Sequence, residues 1–471
     1  MTSDVLVIGA GPAGYVAAIR LAQLGKKVVL VEQARVGGVC LNQGCIPVKA
    51  LLHGASIIRN AAEARVMGLR FSGPEIDLVA LYSWKARIVE RLVRGIEFLL
   101  KQNGVELVRG RARFVDRERV VVTGEDGETE LGAGSFIIAT GSRPVRLSGV
   151  ETDNRLVIDS SGALNLVEIP KRLVVIGAGA IGLEFATLFA RLGSRVTVLE
   201  MFENVLPGID HEIAAALQRL LEREGVRFHF GVQVKGLIHG TPAAVEFACG
   251  SDTRQVEADR VLVAVGRAGL TEGLELEKAG VETDEKGFIR TNENYQTTAR
   301  NIYAIGDVRG GPLLAHKAMA EALLLAEVLG SEGRTGPTGR TPKQRFHAMP
   351  WCVYTDPEVA RVGLNEREAQ GKGLNVKVAL VPASAVGRSL TLGRSEGLCK
   401  MVVDQKTDRI LGVSLLAPDA DTMIGEATVA VELGLTAEEL GRVVHPHPTM
   451  SELLLEAAHA IHGRAIHIVN R

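Results

Sequence analysis

The sequence predicts an α/β protein with two copies of one strand–turn–helix–strand unit and a C-terminal α+β region. Three observations predict it. The stretches DVLVIGAGPAG (4–14) and RLVVIGAGAIG (172–182) echo each other. Each runs from a Val- and Ile-rich apolar segment into a G-x-G-x-x-G turn. Beyond a Gly-, Thr- and Pro-rich stretch that reads as a linker (330–344), short strands such as LCKMVVD and ILGVSLLA precede helices from ADTMIGEATVAVELG onward.

The apolar runs at 4–8 and 172–176 have the unbroken hydrophobicity of parallel strands covered on both faces. In the first copy Gly9, Gly11 and Gly14 make the turn, YVAAIRLAQLG continues as a helix, and KVVLVE is a second strand ending in Glu32. In the second, Gly177, Gly179 and Gly182 make the turn, LEFATLFARLG the helix, and RVTVLE a strand ending in Glu200. The same interval separates first glycine from glutamate in both copies. In such a unit the first glycine permits a tight turn. The second lets the backbone approach a pyrophosphate, and the third lets helix pack on strand. The helix N-terminus offers free N–H groups to the negative charge. The strand-end glutamate accepts ribose hydroxyls, which a 2′-phosphate prevents, so Glu200 points to NAD rather than NADP. A single glycine pattern is weak. Strand, turn, helix, strand and acid in order, twice, leave ordinary packing glycines a poor explanation. These are Rossmann-like dinucleotide-binding units, and two in one chain imply two cofactors that exchange electrons, usually a flavin and a nicotinamide.

At roughly 100–200 residues per domain, 471 residues allow three or four domains. A net charge of −1 offers no basic field for nucleic acid or an anionic membrane. No run of about 18 apolar residues lacks charge, so no membrane span is expected. The first strand begins by Val5, which leaves no room for a signal or transit peptide, and a cytoplasmic protein is expected. Five cysteines are too few and too odd for a secreted disulfide framework. No metal is expected, because no second cysteine pair exists.

Cys40 and Cys45 lie in VGGVCLNQGCIPVKALL, directly after the first unit. Gly37, Gly38 and Gly44 make this backbone pliable, and Pro47 suits the first turn of a helix. A helix N-terminus stabilises a thiolate, and two adjacent thiols can cycle between dithiol and disulfide. Cys249, Cys352 and Cys399 stand apart and read as small core residues.

With these motifs the chain resembles the disulfide-reducing flavoenzymes, class I pyridine nucleotide-disulfide oxidoreductases, and most closely the dihydrolipoamide dehydrogenase branch, over essentially its whole length. The resemblance implies FAD and NAD as cofactors. It makes Cys45 the thiol against the flavin and Cys40 the interchange thiol that meets the substrate. It sets Lys49 near the reactive edge of the flavin, with Glu184 its ion partner. IIATGSRP (137–144) implies Thr140, Gly141 and Ser142 near FAD, NIYAIGDV (301–308) implies Asp307, and LLAHKAMAEA (313–322) implies Ala315 and His316. Ala112 aligns with a backbone contact to the adenosine half, and Val234 and Gly266 with contacts to NAD. In VVHPHPTMSELLLEA (443–457), His447 is the implied base and Glu452 the carboxylate that orients it, with His445 structural.

The implied reaction is oxidation of a dihydrolipoyl group by NAD⁺. The implied assembly is a homodimer with composite sites, serving the lipoyl-bearing acyltransferase of a 2-oxo acid dehydrogenase or the glycine cleavage system. A glutathione reductase-like enzyme acting on another small disulfide is the alternative, against which Glu200 stands where basic residues read NADPH. Mercuric reductase and high-molecular-weight thioredoxin reductase need a C-terminal redox pair, and no cysteine follows Cys399. Val48, Met319, Pro446 and Ala268 depart from the family pattern without removing an essential group. The expected regions are an FAD-binding part (1–144), an NAD-binding domain (145–265), a return to the flavin side (266–340) and an interface domain (341–471).

Overall fold

The computed structural model describes residues 2–73, 75–330, 346 and 348–470, so nearly all of the linker-like stretch lies outside the described residues. Two compact units emerge. One holds the described residues of 1–51, 77–145 and 266–345, the other those of 52–76, 146–265 and 346–471.

The first unit is built on a seven-stranded sheet. Thr2–Ile8 lies at its centre, parallel to Val28–Glu32 on one side and to the end of Gly127–Ile138 on the other. Glu106–Arg109 extends the parallel part beyond Val28–Glu32, and Ile302–Ala304 pairs in parallel with the end of Gly127–Ile138. The first half of Gly127–Ile138 turns into an antiparallel meander with Arg119–Gly124 and Arg111–Phe114. Successive side chains of a strand face opposite sides. Val5 and Val7 accordingly join the core beneath the helices Pro12–Gln23, Leu78–Gln102 and Ala315–Gly330, while Leu6 and Ile8 join Phe114, Val120 and Phe136 on the other face. Asp77 caps the long helix Leu78–Gln102 by accepting the Ala80 N–H.

The second unit repeats the motif in a five-stranded parallel sheet ordered Arg227–His229, Arg195–Leu199, Arg172–Ile176, Arg260–Val263, Val157–Ile158. An antiparallel meander, Val232–Ile238, Ala243–Cys249 and Asp252–Ala258, shares a core with it around Val174, Val245 and Phe247. The C-terminal region is a five-stranded antiparallel sheet ordered Trp351–Val353, Glu358–Gly363, Ile410–Ala417, Leu398–Asp404, Val376–Pro382. The helices Ala420–Leu433 and Glu452–Ile461 pack into its core. Of the three isolated cysteines, only Cys399 is a buried core residue. Cys249 at a strand end and Cys352 on the edge strand are partly buried and pack against the cores of their sheets, in line with the expectation.

Candidate functional site

Both glycine turns have the steric signature of a dinucleotide cradle. A Cβ on Gly177 would stand 2.5 Å from the Ala264 carbonyl oxygen, and one on Gly182 would overlap the Gly177 carbonyl. At Gly179, by contrast, a Cβ would meet nothing within 4 Å, so the middle glycine faces open space where a pyrophosphate can approach. Gly9 and Gly14 are closed in the same way, and Gly11 looks only onto the Gly38 Cα at 3.9 Å. Helices begin directly after the middle glycine of each turn, at Pro12 and Ala180, so the third glycine lies in the first helical turn. The strand-end acids are held alike. Glu32 accepts the N–H groups of Ala10 (2.7 Å) and Ala34 (2.7 Å), and Glu200 those of Ala178 (2.5 Å) and Phe202 (2.9 Å). A carboxylate has about four acceptor positions, so each retains capacity for ribose hydroxyls.

Segments 140–142, 267–270 and 306–309 of the first unit meet around Ser142. Its buried hydroxyl donates to Asp307 Oδ2 (2.6 Å) and accepts from Arg267 Nε (2.7 Å). Thr140 donates to the Leu270 carbonyl at 2.7 Å, and Gly141 adopts a φ of +78°. Asp307 sits in a short 3-10 turn, Gly306–Arg309, whose Gly306 N–H and Arg309 side chain are both bound by buried Glu321 (2.7 and 2.6 Å). Buried Lys317 donates to the Gly310 carbonyl at 2.7 Å. Ala315 and His316 open the helix that carries Lys317 and Glu321. Ala112 lies buried in the meander opposite Val122, so backbone contact is its available role. Sequence reasoning missed the parts played by Arg267, Lys317 and Glu321. Arg267 adjoins Gly266, but nothing in its spacing pointed to Ser142.

The cysteines occupy two successive helices. Cys40 lies in Gly38–Gln43, a short helix where a pliable loop was expected, and Cys45 is the first residue of Cys45–Glu63, with Pro47 in its first turn. Gly37 starts the short helix with a φ of +95°. The two thiols hydrogen-bond each other. That bond, then burial, pushes the Cys40 pKa far up, while nearby Lys49 works in the opposite direction.

His447 and Glu452 come together as expected. His447 Nδ1 is 2.9 Å from Glu452 Oε1, and Glu452 Oε2 accepts the Thr449 N–H at 2.9 Å. Glu452 opens its helix, where an anion is favoured. Burial works to raise the Glu452 pKa, but the bonds from His447 and Thr449 outweigh it and hold the carboxyl below its usual range. With Nδ1 turned to the carboxylate and the side chain 75% exposed, Nε2 is left to accept a proton. His445 is enclosed between the Val443 carbonyl (2.9 Å) and Glu426 (2.8 Å), a structural role.

Of the remaining expected positions, Glu184 is buried in the helix Ala180–Arg191 and accepts the Tyr354 N–H at 3.1 Å. Val234 lies at the irregular register of its strand, and Gly266, with φ +126°, accepts the Val145 N–H at 3.0 Å within the first unit. Among the described residues no cluster of three or more His, Cys, Asp or Glu could hold a metal, and no helix is long and apolar enough to cross a membrane.

Comparison with known proteins adds the following. The family model described as pyridine nucleotide-disulphide oxidoreductase matches residues 3–322, and the model of that family's dimerisation domain matches 349–458. A dihydrolipoyl dehydrogenase of Thermus scotoductus is 50% identical, with all of both chains covered. Dihydrolipoyl dehydrogenase 3 of Pseudomonas aeruginosa is 44% identical over 98% of each chain. Among solved structures, the HOCl-induced flavoprotein disulfide reductase RclA from Escherichia coli matches with a TM-score of 0.85 and 32% identity, over 97% of this chain and 99% of that one.

Proposed function

Because the chain belongs to the pyridine nucleotide-disulphide oxidoreductases, FAD-dependent enzymes that use NAD and act on disulfides, we propose that it oxidises dihydrolipoyl groups to the cyclic disulfide and passes the electrons to NAD⁺. The observation that carries this reading is the contact between Cys40 and Cys45 on two successive helices. Full-length relatives named dihydrolipoyl dehydrogenase support the choice of substrate.

Gly9, Gly11, Gly14 and Glu32 would hold the adenosine diphosphate half of FAD, with Ala112, Thr140, Gly141, Ser142, Asp307, Ala315 and His316 along its length and Lys49 at its reactive edge. Gly177, Gly179, Gly182 and Glu200 would hold NAD, with Val234 and Gly266. FAD, when bound, would supply the redox chemistry that links the reduced cysteines to NAD⁺.

The chain's own residues supply the thiol chemistry. His447 Nε2 takes the proton of one substrate thiol, and Glu452 stabilises the imidazolium. The thiolate attacks Cys40 of the disulfide, forming a mixed disulfide and releasing the Cys45 thiolate. The second substrate thiol attacks the substrate sulfur bound to Cys40, closing the lipoyl ring, and its proton goes to the departing Cys40 sulfur while His447 holds the first proton. Cys40 is released as a thiol beside the Cys45 thiolate. Two electrons and two protons leave the substrate, and Cys40 and Cys45 end reduced.

The matched dimerisation domain supports a homodimer, and in it His447 would serve the cysteine pair of the other subunit. Docking to the acyltransferase of a 2-oxo acid dehydrogenase complex extends the same reading and follows from the name the relatives carry, and a cytoplasmic site of action is part of it. The test is steady-state turnover of the purified yellow protein with dihydrolipoamide, comparing NAD⁺ with NADP⁺. Fast NADH formation with strong preference for NAD⁺ is expected. No turnover, with the flavin still bleached by NADH, would hand the substrate role to another small disulfide.

A further inference from the structure

The stretch after Glu200 is fastened at both ends. At its near end Glu200 takes the N–H groups of Ala178 and Phe202, and the Leu206 N–H donates to the Ala178 carbonyl at 3.0 Å. The segment 201–209 is thereby tied to the second glycine turn. At its far end it meets the C-terminal sheet. The Gly208 carbonyl accepts from Arg361 Nη1 (2.5 Å) and Asn365 Nδ2 (3.0 Å). Asp210 accepts the Ser414 hydroxyl at 2.6 Å and lies 3.2 Å from Lys400 Nζ. Lys400 also pairs with Glu212 (2.9 Å) and Glu366 (2.8 Å), and Arg361 with Glu368.

Arg361, Ser414 and Lys400 stand on three adjacent strands, and their register makes them direct cross-strand neighbours. They form one polar row across a sheet whose surrounding positions are Val, Leu, Met and Ala. Side chains this well enclosed, Lys400 at 3% exposure, are costly to desolvate, and apolar residues would stabilise the sheet at least as well. The row has a use that apolar residues lack: it grips a specific carbonyl and a specific carboxylate of one loop.

We propose that the Arg361–Ser414–Lys400 row is a positioning device for NAD, which fixes the loop 201–210 and, through it, the Glu200 carboxylate and the Ala178 turn. The inference rests on Glu200 as the ribose partner. The C-terminal sheet thus sets affinity for the nicotinamide dinucleotide without touching it.

The test separates the KM for NAD⁺ from that for dihydrolipoamide in the full-length, flavin-loaded enzyme. Lys400→Met is expected to raise the NAD⁺ KM about 3- to 30-fold, the usual range for a residue acting through others, with the dihydrolipoamide KM and the rate of flavin bleaching by dihydrolipoamide near wild type. Lys400→Arg should recover most of the loss. Should Lys400→Met fail to fold, Ser414→Ala decides, since it removes one bond to Asp210 and no charge, and a smaller rise confined to NAD⁺ is expected. An unchanged NAD⁺ KM in the folded variants, or equal losses for both substrates, overturns the proposal. Glu200→Ala run alongside distinguishes the premise. If it leaves the NAD⁺ KM unmoved, the ribose reading itself fails. If it raises the KM while the row variants do not, only the positioning role falls.

Discussion

His447, with Nδ1 held by Glu452, is arranged to take the proton of a substrate thiol at Nε2. Replacing the base should therefore cost far more than replacing a binding group. His447→Gln is expected to lower dihydrolipoamide turnover about 10²–10⁴-fold, the scale of a lost general base, while NADH still bleaches the flavin. A near-wild-type rate would remove His447 from the mechanism. Glu452 supplies a pH signature. Its folded pKa lies below the unfolded carboxyl value of about 4.3, so its ionised form stabilises the fold above that value. The contribution disappears as pH falls through the lower, folded pKa. Wild type should melt above Glu452→Gln at neutral pH, with the gap closing below about pH 4. A gap of constant size across the titration contradicts this account.

The short helix Gly38–Gln43 carries Cys40 and rests against the first glycine turn. Gly38 has a φ of +59°, and a Cβ there would stand 2.7 Å from the Gly11 Cα. Gly38→Ala costs about 1–2 kcal/mol from the left-handed backbone alone and forces the cysteine helix off the fingerprint turn. The purified variant should carry less flavin per chain and melt earlier; full flavin content with an unchanged melting temperature would show that the contact does not matter. This element was not legible in advance, because six residues between glycines look like a loop. What was legible depended on local spacing. The two fingerprints, the Leu398–Asp404 and Ile410–Ala417 strands and the 447–452 pairing all lie within short stretches whose pattern carries the physics. The Arg267–Ser142–Asp307 contacts join residues more than a hundred positions apart, and the Arg361–Ser414–Lys400 row exists only through strand register. Glu321 and Lys317 sit at helical spacing in the segment singled out for Ala315 and His316, yet only burial shows that they hold the Asp307 turn.

At the scale of the whole molecule, a twofold dimer with composite sites makes a sharp prediction. Cys45→Ser and His447→Gln proteins are each expected to be inactive with dihydrolipoamide. When the two are mixed, dissociated and reassembled, random pairing makes half the dimers mixed, each with one intact site, so about a quarter of wild-type activity should return. No recovery would mean that His447 serves the cysteines of its own chain. The duplicated fingerprint carries a further consequence, one of assembly order. FAD and NAD share an adenosine diphosphate half, and the two frames proposed to receive it, with Glu32 and Glu200 held by the same backbone bonds, are near copies. Sorting between the two nucleotides therefore falls to segments that are not duplicated, such as the Ser142–Asp307 contact and the cysteine helices. Much of that sorting apparatus comes from residues far apart in the sequence. If the two frames bind as proposed, a chain whose non-duplicated segments have not yet folded is expected to bind either nucleotide and to gain discrimination only as those segments fold into place.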